Sequence, residues 1–333
     1  MARRMILVVA AFGICCTPAF AASARRGVLA MGTVLDVEVR APAAQRAQEL
    51  AEGVVTVVRH WDDVLSTWKP EAELERLNRH AGRWVFLSPD LRSAFTVMES
   101  LSLATRGAFD PAVGALVREP CEEDCHRPPT PFSSAVQLGA SAARTLVPLD
   151  SGAIGKGIAL DAATRWLLTA GAEAAFLNFG GSSQTFVSRN DRESRQIAVP
   201  RLGSEVPLGI VHLRGASLSS SRTPADPESG EIIDPATGRA VTLERMATVC
   251  TLQAADADAW STALVVLGVR GLELAEAQGV RAVLQEGSRW FATSSWQYGD
   301  GAAARDGFSP CQFQWNKEPE VASDDRMFLP SDS

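Results

Sequence analysis

Between Gly32 and Thr293 the spacing of apolar residues switches from every second residue to every third or fourth, and back, in no fixed order. Gly32 to Arg40 alternates apolar and polar, the pattern of a half-buried strand. Ala43 to Ser66 then places Leu50, Val54, Val57, Val58, Trp61 and Leu65 on one helical face, with Pro42 just before it and Pro70 expected to close it. Further helices are expected over Leu91–Thr105, Gly157–Ala170 and Asp256–Leu267, each followed closely by glycine. Strands are expected over Ala174–Asn178, Leu208–Leu213, Ala247–Leu252, Arg281–Gln285 and Arg289–Thr293. Strands and helices mixed without strict alternation imply an α+β fold with antiparallel or mixed sheets, not a doubly wound parallel one. No internal repeat is present. The end of the chain, 316–333, is polar and reads as a loose tail.

The first residues carry a different signal. Arg3 and Arg4 precede an apolar run from Met5 to Cys16, and Ala19-Phe20-Ala21 offers small residues to a signal peptidase. The run falls short of the ~20 apolar residues that span a bilayer. Residues 1–21 therefore read as a signal peptide and the mature protein as exported, periplasmic in a bacterium. A retained anchor is the alternative. A lipid anchor fits less well, because Ile14 stands before Cys15 where a lipobox has a small residue. The paired arginines hint at a twin-arginine route.

The net charge of −7 argues against a nucleic-acid partner, since phosphate backbones are met by clustered Lys and Arg. Beyond residue 21 four cysteines remain: Cys121, Cys125, Cys250 and Cys311. Cys121, Cys125 and His126 share a polar stretch. A loop disulfide or free thiols explain them better than zinc, which takes four ligands in a structural site.

Two segments carry candidate chemistry. In Asp150-Ser151-Gly152-Ala153-Ile154-Gly155-Lys156-Gly157, three glycines lie just before a helix. Glycine lets backbone approach a ligand, a helix N-terminus favours phosphate, and Lys156 can neutralise its charge. The spacing is not that of a Walker loop. In Asp256 to Thr262, Asp258 and Thr262 are four apart on a helix, with Ser261 between, so their oxygens share a face. A carboxylate beside hydroxyls suits Mg2+ better than zinc. Each segment alone also reads as an ordinary turn or cap.

The order of the motifs is more specific. Met31-Gly32-Thr33, Ser66-Thr67-Trp68, Phe109-Asp110-Pro111, the Asp150–Asp161 stretch, Asn178-Phe179-Gly180-Gly181, Ile233-Asp234-Pro235 and Asp258–Thr262 follow one another as in the ApbE-type FAD:protein FMN transferases, which the chain resembles over residues 27–300. The resemblance implies a two-lobed, T-fold-like α+β architecture with FAD in a cleft between interleaved lobes. It implies Mg2+ held by Asp258, Ser261, Thr262 and the carbonyl of Ala153. Asp150 and Lys156 would contact FAD, and Ala108, Phe109 and Asp110 would line the nucleotide. Met31 and Ile233 would close the pocket. Trp68 stands where the family commonly has a stacking Tyr. The FMN half of FAD would pass to a threonine hydroxyl of an acceptor redox protein, with AMP released. That acceptor would be membrane-linked, so any membrane association would be peripheral and through it.

Three positions depart from the family pattern. Glu231 replaces a His that is a candidate proton acceptor, Ser219-Ser220-Ser221 replaces Thr-Ser-Gly, and Ala112 replaces Thr. Glu231 becomes the candidate base, weaker than His at its ordinary pKa of ~4.3. A Mg2+-dependent FAD pyrophosphatase, or a degenerate FAD-binding protein, are the competing expectations.

Overall fold

A computed structural model of the chain describes residues 22–118, 130–223, 232–294, 296 and 309–316. The leader, Cys121, Cys125, Glu231 and the tail beyond Asn316 lie outside these residues. The fold is α+β and every strand pairing is antiparallel among the described residues.

A hairpin opens it: β1 (Ala22–Ala30) and β2 (Thr33–Ala41) join through Met31-Gly32, both at positive φ. The long helix α1 (Ala44–Leu65) follows, its apolar stripe from Leu50 through Val58 to Leu65 buried. It stops before Pro70 is reached. Ser66 turns to extended backbone and its hydroxyl accepts from the amides of Trp68 and Lys69. Then come α2 (Glu73–Arg79), β3 (Val85–Phe86) and α3 (Pro89–Ala104), capped by Ser88. After α4 (Gly114–Arg118) come α5 (Phe132–Ala135), β4 (Val136–Leu138) and β5 (Ala142–Thr145). Strands β3, β5 and β4 form a small sheet.

The rest builds the main sheet and its cover. Helix α6 (Gly155–Ala170) leads into the hairpin β6 (Ala174–Phe179) and β7 (Ser183–Ser188). Next come β8 (Arg195–Arg201), β9 (Ser204–Leu213), β10 (Ala216–Arg222), the short β11 (Ile233–Asp234) and β12 (Arg239–Ala240), and β13 (Arg245–Thr251). Helices α7 (Ala254–Leu267) and α8 (Arg270–Ala277) precede β14 (Arg281–Glu286), β15 (Arg289–Ala292) and β16 (Cys311–Trp315). Eight strands run in the order β1-β2-β6-β7-β10-β13-β14-β15, and β16-β9-β8 form a third sheet.

The pleat divides the core in two. One face of the main sheet, with Leu35, Val37, Val39 and Leu177, packs on α1, α6 and α7, in a core that continues through Leu74 and Phe95 toward the small sheet. The other face, with Phe186 and Leu218, meets the third sheet through Val199, Val211 and Phe313. Cys250 on β13 is joined there to Cys311 on β16 by a disulfide that cysteine spacing did not suggest. No helix among the described residues is long and apolar enough to cross a membrane.

Candidate functional site

Helices α6 and α7 meet at their N-terminal ends, and the two segments that carry chemistry meet with them. Gly157 permits this. A Cβ there would lie 2.4 Å from the carbonyl oxygen of Ala254 and 2.6 Å from the Cα of Ala255. The Gly157 amide donates to Asp258 Oδ2 at 2.7 Å, and Ser183 Oγ donates to Asp258 Oδ1 at the same distance. Asp258 is buried, and burial pushes its carboxyl above the ordinary value, against the opposing pull of Lys156, Ser219, Ser183 and Gly157.

Hydroxyls surround this carboxylate. Strands β7 and β10 turn Ser183, Thr185, Ser217, Ser219 and Ser221 toward α7 at every second position. Ser261 Oγ lies 3.2 Å from Ser219 Oγ and 2.7 Å from Ser221 Oγ, and Thr262 Oγ1 lies 3.3 Å from Ser221 Oγ. Asp258, Ser261 and Thr262 thus form one oxygen-only cluster around a carboxylate whose desolvation a cation would offset, the donor chemistry of a hard divalent ion. Among the described residues no three or more His, Cys, Asp and Glu side chains come together in one group.

Across the junction, Lys156 Nζ donates to Ser182 Oγ at 2.6 Å in the turn after Gly180-Gly181. Ala153 stands in the turn just before α6. Asp150 accepts from the Gly152 amide at 2.8 Å and from Thr67 Oγ1 at 3.5 Å, tying this turn to the segment bearing Trp68. Trp68 itself is 85% exposed, a free aromatic face beside the turn. The Met31 methyl reaches over α6, 3.3 Å from where a Gly155 Cβ would stand. Gly180, at positive φ in the turn between β6 and β7, packs against Thr33 at the start of β2.

A cavity of about 350 Å3, separate from the Asp258 cluster in its lining, is bounded by Arg106, Gly107, Ala108, Asp110, Ala112, Val113, Thr130, Pro131, Asp234, Pro235, Ala236, Val266 and Leu267. Ala108 and Asp110 are on its wall. Phe109 is not: its ring is buried in the core, and its amide bonds to Thr105 Oγ1. Ile233 is likewise buried, and the next three residues supply the wall in its place. Asp110 accepts from the amides of Ala112 and Phe132, bracing both rims of the cavity, while burial raises its pKa.

Sequence reasoning missed Ser182 and Ser183, and it gave Asp161 no role. Asp161, one turn along α6 from Gly157, accepts from the amides of Ala254 at 2.7 Å and Ala255 at 3.0 Å, capping α7 from outside. Its carboxyl is pushed up to about 6, first by burial and further by Asp256, against those two amides and Arg165. A folded-state pKa above the usual 3.8 means that protonation favours the fold. The gain is complete below that value and is lost as pH rises through about 6, a swing of about 3 kcal/mol. Unfolding midpoints from pH 4 to 7 should therefore fall less steeply for Asp161→Asn than for the parent. Parallel profiles would dismiss this account of Asp161.

Comparison with known proteins bears on the fold and the family. The ApbE family model matches residues 31–284. A FAD:protein FMN transferase of Rhodobacter capsulatus is 31% identical over 282 residues, 76% of this chain and 53% of that protein. One of Salmonella typhimurium is 26% identical over 296 residues, 77% of this chain and 83% of that one. The chain thus spans about half the length of the first relative and most of the second. The flavin transferase ApbE from Vibrio cholerae shares the fold at a TM-score of 0.70 and 20% identity, over 83% of this chain and 98% of that one. The ApbE protein of Thermotoga maritima does so at 0.71 and 19%, over 82% and 97%. With the family model matched from Met31 to Leu284 and that fold shared almost end to end with solved members, the chain belongs to the ApbE family.

Proposed function

We propose that this protein transfers the FMN half of FAD to a threonine hydroxyl of an acceptor protein, with Mg2+, and releases AMP. The observation that carries the reading is the buried Asp258 among the hydroxyls of Ser261 and Thr262, facing Lys156 across the α6–α7 junction. Asp258, Ser261 and Thr262, with the carbonyl of Ala153, would hold the ion, which supplies charge neutralisation at the pyrophosphate. Lys156 and the N-terminus of α6 meet phosphate oxygens. Ala108, Asp110 and the Asp234–Ala236 turn would receive the nucleotide in the cavity that they line.

The threonine oxygen bonds to the FMN-side phosphorus, the bridging P–O bond breaks, and AMP leaves with the electron pair. The hydroxyl proton goes to a base, for which Glu231 is the candidate in place of the family's His. The names of the relatives support the flavin-transfer reading. The buried Cys250–Cys311 disulfide supports an oxidising compartment, in keeping with export to the periplasm and a membrane-linked redox acceptor there.

Incubation with FAD, Mg2+ and a candidate acceptor domain, read by intact mass and nucleotide products, tests the proposal. An acceptor heavier by FMN less water, with AMP, is the expected result. Free FMN with AMP and no adduct would mark a pyrophosphatase, in which water replaces the threonine. Intact FAD would mark a binding protein. Trp68→Ala should weaken FAD binding about tenfold, the order of one lost stacking face. An unchanged fluorescence titration would remove Trp68 from the site.

A further inference from the structure

Helices α6 and α7 each lack a cap of their own. Ile154 and Gln253 stand at the N-cap positions, and neither side chain bonds to the turn that it precedes. The first amides of a helix have no partner within it, and a local Ser, Thr, Asp or Asn commonly meets them. Here each helix receives its cap from the other. The Gly157 amide, third in α6, donates to Asp258 of α7 at 2.7 Å. The Ala254 and Ala255 amides, first and second in α7, donate to Asp161 of α6 at 2.7 and 3.0 Å. Gly157 and Asp161 are four apart on α6, as are Ala254 and Asp258 on α7. The two bonded pairs therefore share the face on which Gly157 meets the Ala254 backbone.

A local cap would form α7 at less cost. Gln253 is exposed and its backbone is already extended, at φ −97° and ψ 137°, so a Ser or Asp there would serve. Asp161 is instead a partly buried carboxylate whose pKa burial raises. What the distant carboxylate adds, and a local one lacks, is a tie between the helices. It fixes the first turn of α7 against α6, and Asp258 stands one turn further along α7. Asp258 is thereby kept with one oxygen on the Gly157 amide and the other on Ser183.

We propose that Asp161 is a positioning residue of the ion site: by capping α7 from α6 it holds the Asp258 carboxylate where Mg2+ is received. The inference rests on the reading of Asp258, Ser261 and Thr262 as that site. Asp161 acts through Asp258 and not on the reacting atoms. With the tie cut, the ion must draw α7 back to α6 as it binds. Affinity then falls by the fraction of molecules in which the helices are apart, while the loaded site keeps its chemistry.

Mn2+ in place of Mg2+ gives a direct reading, because the paramagnetic resonance signal of the free ion disappears on binding. With FAD at saturation, Asp161→Ala should raise the Mn2+ concentration for half-occupancy about tenfold, the order of one lost cap. AMP release at saturating Mn2+ should stay close to the parent's. Asp161→Asn keeps one acceptor oxygen and should recover part of the affinity; it also serves where the alanine variant does not fold. Adding Gln253→Ser to Asp161→Ala gives α7 a cap of its own. That should restore the thermal midpoint and leave Mn2+ binding weak. Full recovery of binding there would reduce Asp161 to a helix cap and overturn the proposal, as would folded Asp161 variants that hold Mn2+ like the parent. Asp258→Asn tells this failure from that of the ion site. If it loses Mn2+ while the Asp161 variants do not, the positioning role alone falls. If it too binds like the parent, the ion site falls and the inference with it.

Discussion

Asp258→Asn should lower flavin transfer about a thousandfold or more while leaving the protein folded. Asparagine keeps the size of the side chain, and one acceptor oxygen still answers either the Gly157 amide or Ser183. What disappears is the charge. In a buried, hydroxyl-lined site that charge is the main attraction for a divalent ion, and about 4 kcal/mol of lost transition-state stabilisation corresponds to a thousandfold in rate. AMP release at saturating FAD, measured across a Mg2+ titration, reads the effect. Near-UV circular dichroism reads the fold. A variant with the parent's turnover and the parent's Mg2+ dependence would remove Asp258 from the ion site.

The second large effect is on stability. Cys250→Ser with Cys311→Ser should cost about 4 kcal/mol, because the bond closes a loop across a sequence separation of 61. Both cysteines are buried beside Phe313, and Trp296 packs on that ring at 5.0 Å, so the loss falls on the cover over the main sheet's second face. Urea unfolding of the parent, the double variant and the reduced parent measures it. Coincident midpoints would show that β9 holds β16 without help. Catalysis in the folded variant should be little changed, since the site lies on the other face.

The helices that position the site were legible because their signals are local. The stripe along α1, the glycine after α6 and the hydroxyl-carboxylate face of α7 need no tertiary context to be read. Asp258, Ser261 and Thr262 came with them. Strands β7 and β10 were not legible, because their serines and threonines read as loop residues until Thr185 meets Ser217 across the pair and Ser183, Ser219 and Ser221 meet α7. Strand β1 carries Arg25 and Arg26 on an edge of the sheet, where charge is expected but hydrophobic alternation is diluted. Pro200 spoils the pattern of β8, and the structure accommodates it at a register shift between Val199 and Arg201. The resemblance implies that Phe109 lines the nucleotide; the structure shows its ring buried in the core.

The contact at Gly157 bears on how such a protein can diversify. Backbone meets backbone there, so no choice of side chain can widen or narrow the junction; any Cβ breaks it. Inherited variation must leave that weld alone. The cavity wall is free of it, being drawn from connecting segments at Arg106–Ala112, Thr130–Pro131 and Asp234–Ala236. A lineage can therefore exchange what lines the cavity while the α6–α7 joint passes down unaltered, much as a tool keeps its handle through many changes of blade.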